Sequence, residues 1–204
     1  MISSTAYQTA YQMAIRQLSQ ADLDEVIFNS SAHLKDGLIY LDFLGNTYQI
    51  EQSGKRITMV EDATREVNIA EKIIMLHYLV TADGTPLTRE EIAFKDIPGA
   101  GFYYPTYKKR TMDYLVSVFK NDLTKFLKTS EALGGRVMET EEDKVKVKFL
   151  VLPNVPITLI YWRGETGELF PSLQILYDAN VTHYLPLEDI VILPELLVHK
   201  LVNL

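Results

Sequence analysis

The strand-forming segments of this chain fall into two blocks separated by helical patterns, and this order restricts the fold more than any other feature. The first block covers residues 37–60 and the second covers residues 137–177. Strands that alternate singly with helices favour a parallel sheet, whereas strands grouped in runs favour antiparallel pairing. We therefore predict an α+β fold in which a mostly antiparallel sheet, with an N-terminal meander and C-terminal strands, packs with helices.

The first block predicts three strands in sequence. Residues 38–43 and 47–50 are rich in β-branched and aromatic side chains, and Gly45-Asn46 between them is a favoured two-residue hairpin turn. Residues 56–60 follow a second turn signal at Ser53-Gly54 and predict the third strand. An antiparallel meander is the simplest arrangement of three such strands.

The second block predicts four strands. Val145, Val147 and Phe149 alternate with lysines, which is typical of a strand with one buried face. The four segments are residues 137–140, 145–151, 157–163 and 173–177.

Helical spacing of apolar residues accounts for most of the remaining chain. Thr88 and Glu91 have the spacing of a capping box and predict a short helical turn. Pro194 lies inside the last predicted helix and should kink or split it. The predicted helices are residues 4–19, 21–29, 69–82, 105–119, a segment capped by Asn121 that ends at Gly134-Gly135, and 187–202.

Composition is that of an ordinary globular protein. The chain has 204 residues, of which 47% are apolar and 23% are charged, so a sizeable core is expected without a metal or disulfide. Internal repeats and low-complexity linkers are missing from the sequence. We therefore predict a single domain covering residues 1–204.

The charge balance argues against nucleic acid as a partner. The formal net charge is −7, and nonspecific binding to phosphate backbones requires a positive surface. The cluster Lys108-Lys109-Arg110 is more typical of a solvated helix face than of a phosphate site. No run approaches the ~18 apolar residues of a membrane span, and the N-terminus lacks a signal-peptide pattern, so we expect a cytoplasmic protein with no membrane partner.

The chain contains no cysteine. Disulfides, thiolate nucleophiles and cysteine-held zinc or iron–sulfur sites are therefore excluded within it. Phosphate-binding glycine loops, nucleophile elbows and paired-histidine zinc helices are also missing from the sequence, and the Gly-x-Gly of Pro98-Gly99-Ala100-Gly101 is interpreted as a turn. No metal site and no particular cofactor is predicted.

Five residues are candidates for binding a small ligand. Tyr103, Tyr104 and Tyr107 could line a pocket for a flat or apolar ligand, although core packing is the ordinary explanation for an aromatic run. His77 lies beside the apolar stripe of the strongest predicted helix, where a hydrogen-bonded core histidine is the ordinary alternative. Trp162, the one tryptophan, is the fifth candidate.

The segment 161–189 holds the candidates for catalysis. Asp178 ends a predicted strand, His183 follows it, and Glu188 opens a helix. Carboxylates and an imidazole grouped after a strand end can coordinate a hard metal or transfer protons. The alternative is structural: aspartates form turns, and acidic residues in a first helical turn stabilise the helix dipole.

Short motifs occur along the chain in a fixed order, and they are Leu76-His77-Tyr78-Leu79, Ala82-Asp83-Gly84-Thr85-Pro86-Leu87, Pro98-Gly99 to Tyr104, Leu133-Gly134-Gly135, Leu152-Pro153-Asn154-Val155-Pro156, Trp162 with Gly164-Glu165, and Leu176-Tyr177-Asp178 through His183-Tyr184-Leu185 to Glu188-Asp189. This ordered set resembles that of a family of uncharacterised prokaryotic proteins, a domain of unknown function. The resemblance covers roughly residues 10–200.

The resemblance implies a context rather than an activity. Such proteins are common in anaerobes, and some are fused to an iron–sulfur module of the corrinoid-protein type. Since this chain has no cysteine, any cluster would belong to an iron–sulfur or corrinoid protein partner. Members usually carry an acidic pair near the tryptophan, and the spacing of Glu165 and Glu168 here departs from that pattern.

Three hypotheses follow. The first is a small-ligand-binding or accessory module linked to anaerobic redox or corrinoid metabolism, acting through residues 98–107 and 161–189. The second is a metal-dependent or acid–base enzyme that uses Asp178, His183 or Glu188. The third is a structural protein-interaction domain.

Overall fold

The computed structural model describes residues 4–164 and 170–204 and confirms the α+β class with two antiparallel sheets. The chain forms two compact units. Unit 1 comprises the chain up to Leu87 with Leu152–Asn154 and Asn180–Asp189, and unit 2 comprises Thr88–Val151, Val155–Ala179 and Ile190–Leu204. That residues 1–204 form a single domain stays a prediction.

Unit 1 contains the predicted meander, with one strand more than expected. Its order is β1 (His33–Lys35), β2 (Leu38–Phe43), β3 (Asn46–Glu51) and β4 (Ile57–Met59). The sequence did not indicate β1 because its three side chains are all exposed and lack an apolar alternation.

The hairpin turn is shifted by one residue from the prediction. Leu44 and Gly45 have φ values of 49° and 80°, while Asn46 already pairs with Phe43 in the sheet. The prediction of Gly45-Asn46 was therefore wrong. A two-residue turn with positive φ at both positions matches the right-handed twist of the strands, and the pairing register selects which two residues adopt it.

The N-terminal part of unit 1 also contains three α-helices, namely α1 (Ser4–Gln20), α2 (Leu23–Ser30) and α3 (Ile69–Thr81). Asp22 caps α2 by accepting the N–H groups of Asp24 and Glu25. Asn68 and Glu71 form a capping box at the start of α3, which the sequence analysis did not identify. α3 packs against α1 and α2 through its apolar face.

Unit 2 contains a five-stranded sheet in the order β5-β9-β8-β7-β6. The four predicted C-terminal strands are confirmed as β6 (Arg136–Thr140), β7 (Lys144–Leu152), β8 (Val155–Trp162) and β9 (Ser172–Asp178). The capping box predicted at Thr88 and Glu91 was wrong, because Glu91 begins the edge strand β5 (Glu91–Ala93) and pairs with Asp178.

Two of the helices predicted in unit 2 differ from the prediction, one because it is divided and one at its N-terminal cap. The single helix expected over residues 105–119 is two, α4 (Tyr104–Arg110) and α5 (Met112–Phe119), separated at Thr111, whose hydroxyl donates to the Tyr107 carbonyl at 2.7 Å. The cap of α6 (Leu123–Ala132) is Asp122 rather than Asn121.

The C-terminal helix α7 (Leu187–Val202) continues through Pro194, so the prediction that this proline splits it was wrong. Proline has no N–H, and the carbonyl four residues earlier, that of Ile190, loses its usual helical partner. The Tyr177 hydroxyl donates to this carbonyl at 3.3 Å. A side chain from β9 thus satisfies the backbone group that Pro194 leaves free.

The same hydroxyl reaches α4. The Tyr107 and Tyr177 hydroxyl oxygens lie 3.0 Å apart, and since Tyr177 donates its proton to Ile190, Tyr107 is the donor between them. Both tyrosines are fully buried, which raises the pKa of each phenol and keeps it protonated. One chain of hydrogen bonds therefore joins α4, β9 and α7.

We expect Tyr177→Phe to lower the free energy of unfolding by about 1–3 kcal/mol, because the Ile190 carbonyl and the Tyr107 hydroxyl both lose a buried partner. In a Pro194→Ala background the new N–H hydrogen-bonds the Ile190 carbonyl, and the loss should be smaller by about 1 kcal/mol. Urea denaturation of the four proteins measures this coupling. Equal losses in the two backgrounds would show that Tyr177 does not substitute for the missing N–H.

Candidate functional site

Unit 2 carries an open groove of about 760 Å³ between α4, the start of α5 and the C-terminal half of α7. Seven residues line it: Pro105, Thr106, Lys109 and Arg110 from α4, Tyr114 from α5, and Glu195 and His199 from α7.

Helical spacing explains why these side chains converge. Pro105 and Lys109 are one turn apart, as are Thr106 and Arg110, so the four residues share one side of α4. Tyr107 projects from the other side into the core, where its ring stacks on Phe94 with 4.1 Å between centroids. The buried tyrosine thus turns the polar side of α4 toward the groove.

Glu195 and His199 are one turn apart on α7 and form the opposite wall. The Glu195 side chain is only 16% exposed, and Oε1 lies 3.5 Å from Nη1 of Arg110. Burial raises the pKa of the Glu195 carboxyl, and the nearby Arg110 and His199 charges oppose that rise. Perturbed carboxyl groups of this kind are concentrated at functional sites.

The His199 ring lies against Tyr114, with 5.4 Å between the ring centroids and 51° between the ring planes. Tyr114 is half-buried and His199 is exposed, so one side of the groove offers aromatic surface to a ligand. The groove thus combines two cations, a partly buried carboxyl and an aromatic wall formed by a phenol ring and an imidazole.

The predicted tyrosine group is divided between the core and the surface. Tyr107 is fully buried and its hydroxyl is used by Tyr177, whereas Tyr103 and Tyr104 are half-buried and the adjacent Phe102 is exposed. Tyr104 contacts Tyr107 at 6.3 Å between centroids. None of the three tyrosines lines the groove described above.

His77, in unit 1, is held by a buried carboxylate. Its Nδ1 lies 2.6 Å from Oδ2 of Asp189, whose side chain is 4% exposed. This is the arrangement in which a carboxylate orients an imidazole. It is also the ordinary way to satisfy a partly buried histidine, and a ligand role for His77 stays a prediction.

His183 forms a second histidine–aspartate pair in unit 1, on the surface. Its Nδ1 lies 2.7 Å from Oδ2 of Asp83 and 3.2 Å from the Thr85 hydroxyl oxygen. The hydrogen bond from His183, with those from Thr85, lowers the pKa of Asp83 to about 2. Glu188, the third catalytic candidate, is exposed in the first turn of α7.

The Asp178 carboxylate, in unit 2, accepts hydrogen bonds that hold the local backbone. Its two carboxylate oxygens accept the Thr88 N–H at 2.9 Å, the Thr88 hydroxyl at 2.8 Å and the Arg89 N–H at 2.8 Å. Arg89 has a φ of 64°, an uncommon conformation that these bonds stabilise. Asp178 thus fixes the backbone that leads into β5.

Trp162 ends β8, pairs with Ser172 of β9, and is half-buried. The acidic residues Glu165 and Glu168 near it lie outside the described residues. Across residues 4–164 and 170–204, no three histidine or acidic side chains are grouped so that they could hold a metal ion. Nor is any helix in these ranges long and apolar enough to cross a membrane.

Sequence reasoning missed Glu195, His199 and Tyr114. The Glu195–His199 spacing of four residues was a usable signal, because it places an acid and an imidazole on one face of a helix. Arg110 and Tyr114 have the same spacing. Nothing in the sequence showed that these two pairs face each other.

A family model matches residues 22–200, nearly the whole chain, and its description is Domain of unknown function (DUF3786). The chain belongs to the DUF3786 family. The resemblance to a family of unknown function is thereby confirmed, while the association with anaerobes and iron–sulfur fusions stays a prediction. Comparisons with curated proteins and with solved structures give no match, so the function of this DUF3786 domain has to be argued from its site.

Proposed function

We propose that the protein is a small-ligand-binding module and that its ligand occupies the groove between α4, α5 and α7. The observation that carries the proposal is the convergence of Lys109, Arg110, Glu195 and His199 on one open groove with an aromatic wall. Small-molecule sites in proteins combine apolar and aromatic surface with a few convergent polar groups that fix the orientation of the ligand.

Buried hydrogen bonds hold the walls of the groove in place. This favours a ligand site over the alternative that the charged side chains are simply solvated on a helix surface. Tyr107 and Tyr177 tie α4 and α7 to the sheet through buried hydrogen bonds. Since rigid walls lose little conformational entropy when a ligand binds, such a groove is preorganised.

The acid–base enzyme is the weaker hypothesis. Both carboxylate oxygens of Asp178 accept hydrogen bonds from Thr88 or Arg89, and Glu188 is an exposed residue in the first turn of a helix. Among the carboxyl groups that the structure describes, the one with a raised pKa is Glu195, which was not among the catalytic candidates.

Ligand-observed NMR with a fragment library that spans anions, cations and neutral aromatic compounds tests the proposal. Thr106→Trp places a large side chain in the groove, and we expect it to abolish the binding of fragments that bind the unmodified protein. Ser117→Trp is the matched control, because Ser117 is exposed on the neighbouring helix α5 and does not line the groove.

Both variants should keep the unfolding midpoint of the unmodified protein, since both replaced residues are exposed. The proposal fails when no fragment binds, or when the fragments that bind are unaffected by Thr106→Trp.

We further propose that this module acts in the cytoplasm as an accessory to anaerobic redox or corrinoid metabolism, beside an iron–sulfur or corrinoid protein. The family resemblance supports the context, and since these 204 residues contain no cysteine, a cysteine-held cluster would belong to the partner. Affinity purification of the tagged protein from anaerobically grown source cells, with iron and cobalt measured in the eluate, tests it. Metal contents no higher than those from an unrelated acidic bait would contradict it.

A further inference from the structure

The three neighbouring basic residues of α4 are neutralised to different extents. Lys108 forms an ion pair with Asp113 and does not line the groove. Arg110 has one acidic partner within the described residues, Glu195, at the long distance of 3.5 Å. Lys109 has no acidic partner in that part of the chain. The two cations that line the groove, Lys109 and Arg110, are therefore less neutralised by acidic side chains than Lys108.

Glu195 is weakly held by that pair. The Arg110 side chain is 55% exposed, and an ion pair of this length and exposure contributes little to stability. The guanidinium carries five N–H donors in a planar fork that matches the oxygens of a carboxylate or phosphate. Glu195 uses one donor at a long distance and leaves the rest of the fork open to the groove.

We propose that the groove binds a small organic anion, a carboxylate or phosphate attached to a flat ring, and that Glu195 occupies the anion position at Arg110 until the ligand displaces it. This inference rests on the proposed function and adds the class of ligand and the residue that sets its affinity.

Charge and shape both favour this ligand. With His199 neutral, the lining carries two positive charges and one negative charge, and a protonated His199 adds a third positive charge. An anion is therefore favoured over a cation. A ring attached to the anion would contact Tyr114 and His199, whose rings form the wall beside Arg110.

Displacement of Glu195 from Arg110 makes ligand binding depend on the protonation of the Glu195 carboxyl. The groups that face Glu195 are Arg110 and Lys109 from α4, Tyr114 from α5 and His199 from its own helix. Once the ligand anion binds Arg110, Glu195 no longer pairs with the cation that lowers its pKa against the effect of burial. The ligand also brings a negative charge close to the Glu195 carboxyl. Both changes raise the pKa of Glu195 further, so binding takes up a proton and affinity increases as the pH falls toward and through this raised pKa.

The decisive variant is Glu195→Gln, which keeps the shape of the side chain and removes its charge. We expect it to increase the affinity for phenyl phosphate or benzoate at pH 7 by about fivefold, which corresponds to about 1 kcal/mol for a loosely held ion pair. Its affinity should also depend less on pH than that of the unmodified protein across the range in which Glu195 titrates. His199→Gln, measured alongside, removes the separate contribution of the imidazole.

Arg110→Gln should lower the affinity for the same probes by at least about tenfold, because it removes a charged hydrogen-bond donor. Lys109→Gln should lower the affinity less, and Lys108→Gln is the matched control on the same helix that should leave the affinity unchanged.

Binding is measured by NMR from the His199 ring signals, or by calorimetry for the His199 variant. Tighter binding of phenyl phosphate indicates a phosphate ligand, and tighter binding of benzoate indicates a carboxylate ligand.

Weaker binding in Glu195→Gln would overturn the inference, because Glu195 would then be holding a cationic group of a zwitterionic ligand. Binding of neutral or cationic fragments but not of these anions would also overturn it, while the groove would remain a ligand site. Absence of all fragment binding would instead refute the proposed function itself.

Discussion

The Tyr177 hydroxyl is the interaction on which the candidate site depends. It joins the Tyr107 hydroxyl of α4 to the Ile190 carbonyl of α7, and Tyr177 itself belongs to β9. The two helices it connects are the two that form opposite walls of the groove. A buried polar chain of this kind is stable only when every member has a partner, so it selects one arrangement of α4, β9 and α7.

The chain of hydrogen bonds explains how a proline is accommodated at position 194 of α7. Pro194 removes the N–H that would satisfy the Ile190 carbonyl, which creates a place for a side-chain donor, and it immediately precedes Glu195 in the wall of the groove. On α4, helical periodicity assigns Tyr107 to the core and Lys109 and Arg110 to the groove. Residues 107–110 therefore contribute both to the core and to the groove.

The sequence allowed the prediction of most long elements, because their side chains alternate or recur with a clear period. The strand with Val145, Val147 and Phe149 is an example, with inward apolar residues and outward lysines. β1 and β5 have three residues each, too few to show a period, and their pairing is decided by the neighbouring strands. The continuity of α7 through Pro194 was unpredictable for a related reason, since its donor Tyr177 comes from a distant strand.

The candidate site was less accessible to sequence reasoning than the fold. Arg110 and Glu195 are 85 residues apart in the chain, and the helices that carry them are joined through the Tyr177 hydroxyl of β9. Most candidates chosen from the sequence lie close together along the chain, within residues 103–107 and 178–188, and proximity along the chain is a poor guide to convergence in space. Asp178 shows the difference, because the carboxylate at the end of β9 accepts backbone N–H groups of Thr88 and Arg89.

The central claim is that an anion takes the place of Glu195 at Arg110, and a crystal structure of the protein soaked with phenyl phosphate tests it most directly. The account predicts phosphate oxygens within hydrogen-bonding distance of Arg110 and Lys109, the ring against Tyr114, and Glu195 moved beyond its present 3.5 Å from Arg110. A groove that contains no phenyl phosphate, or a bound anion that leaves the pair of Arg110 and Glu195 intact, would contradict it.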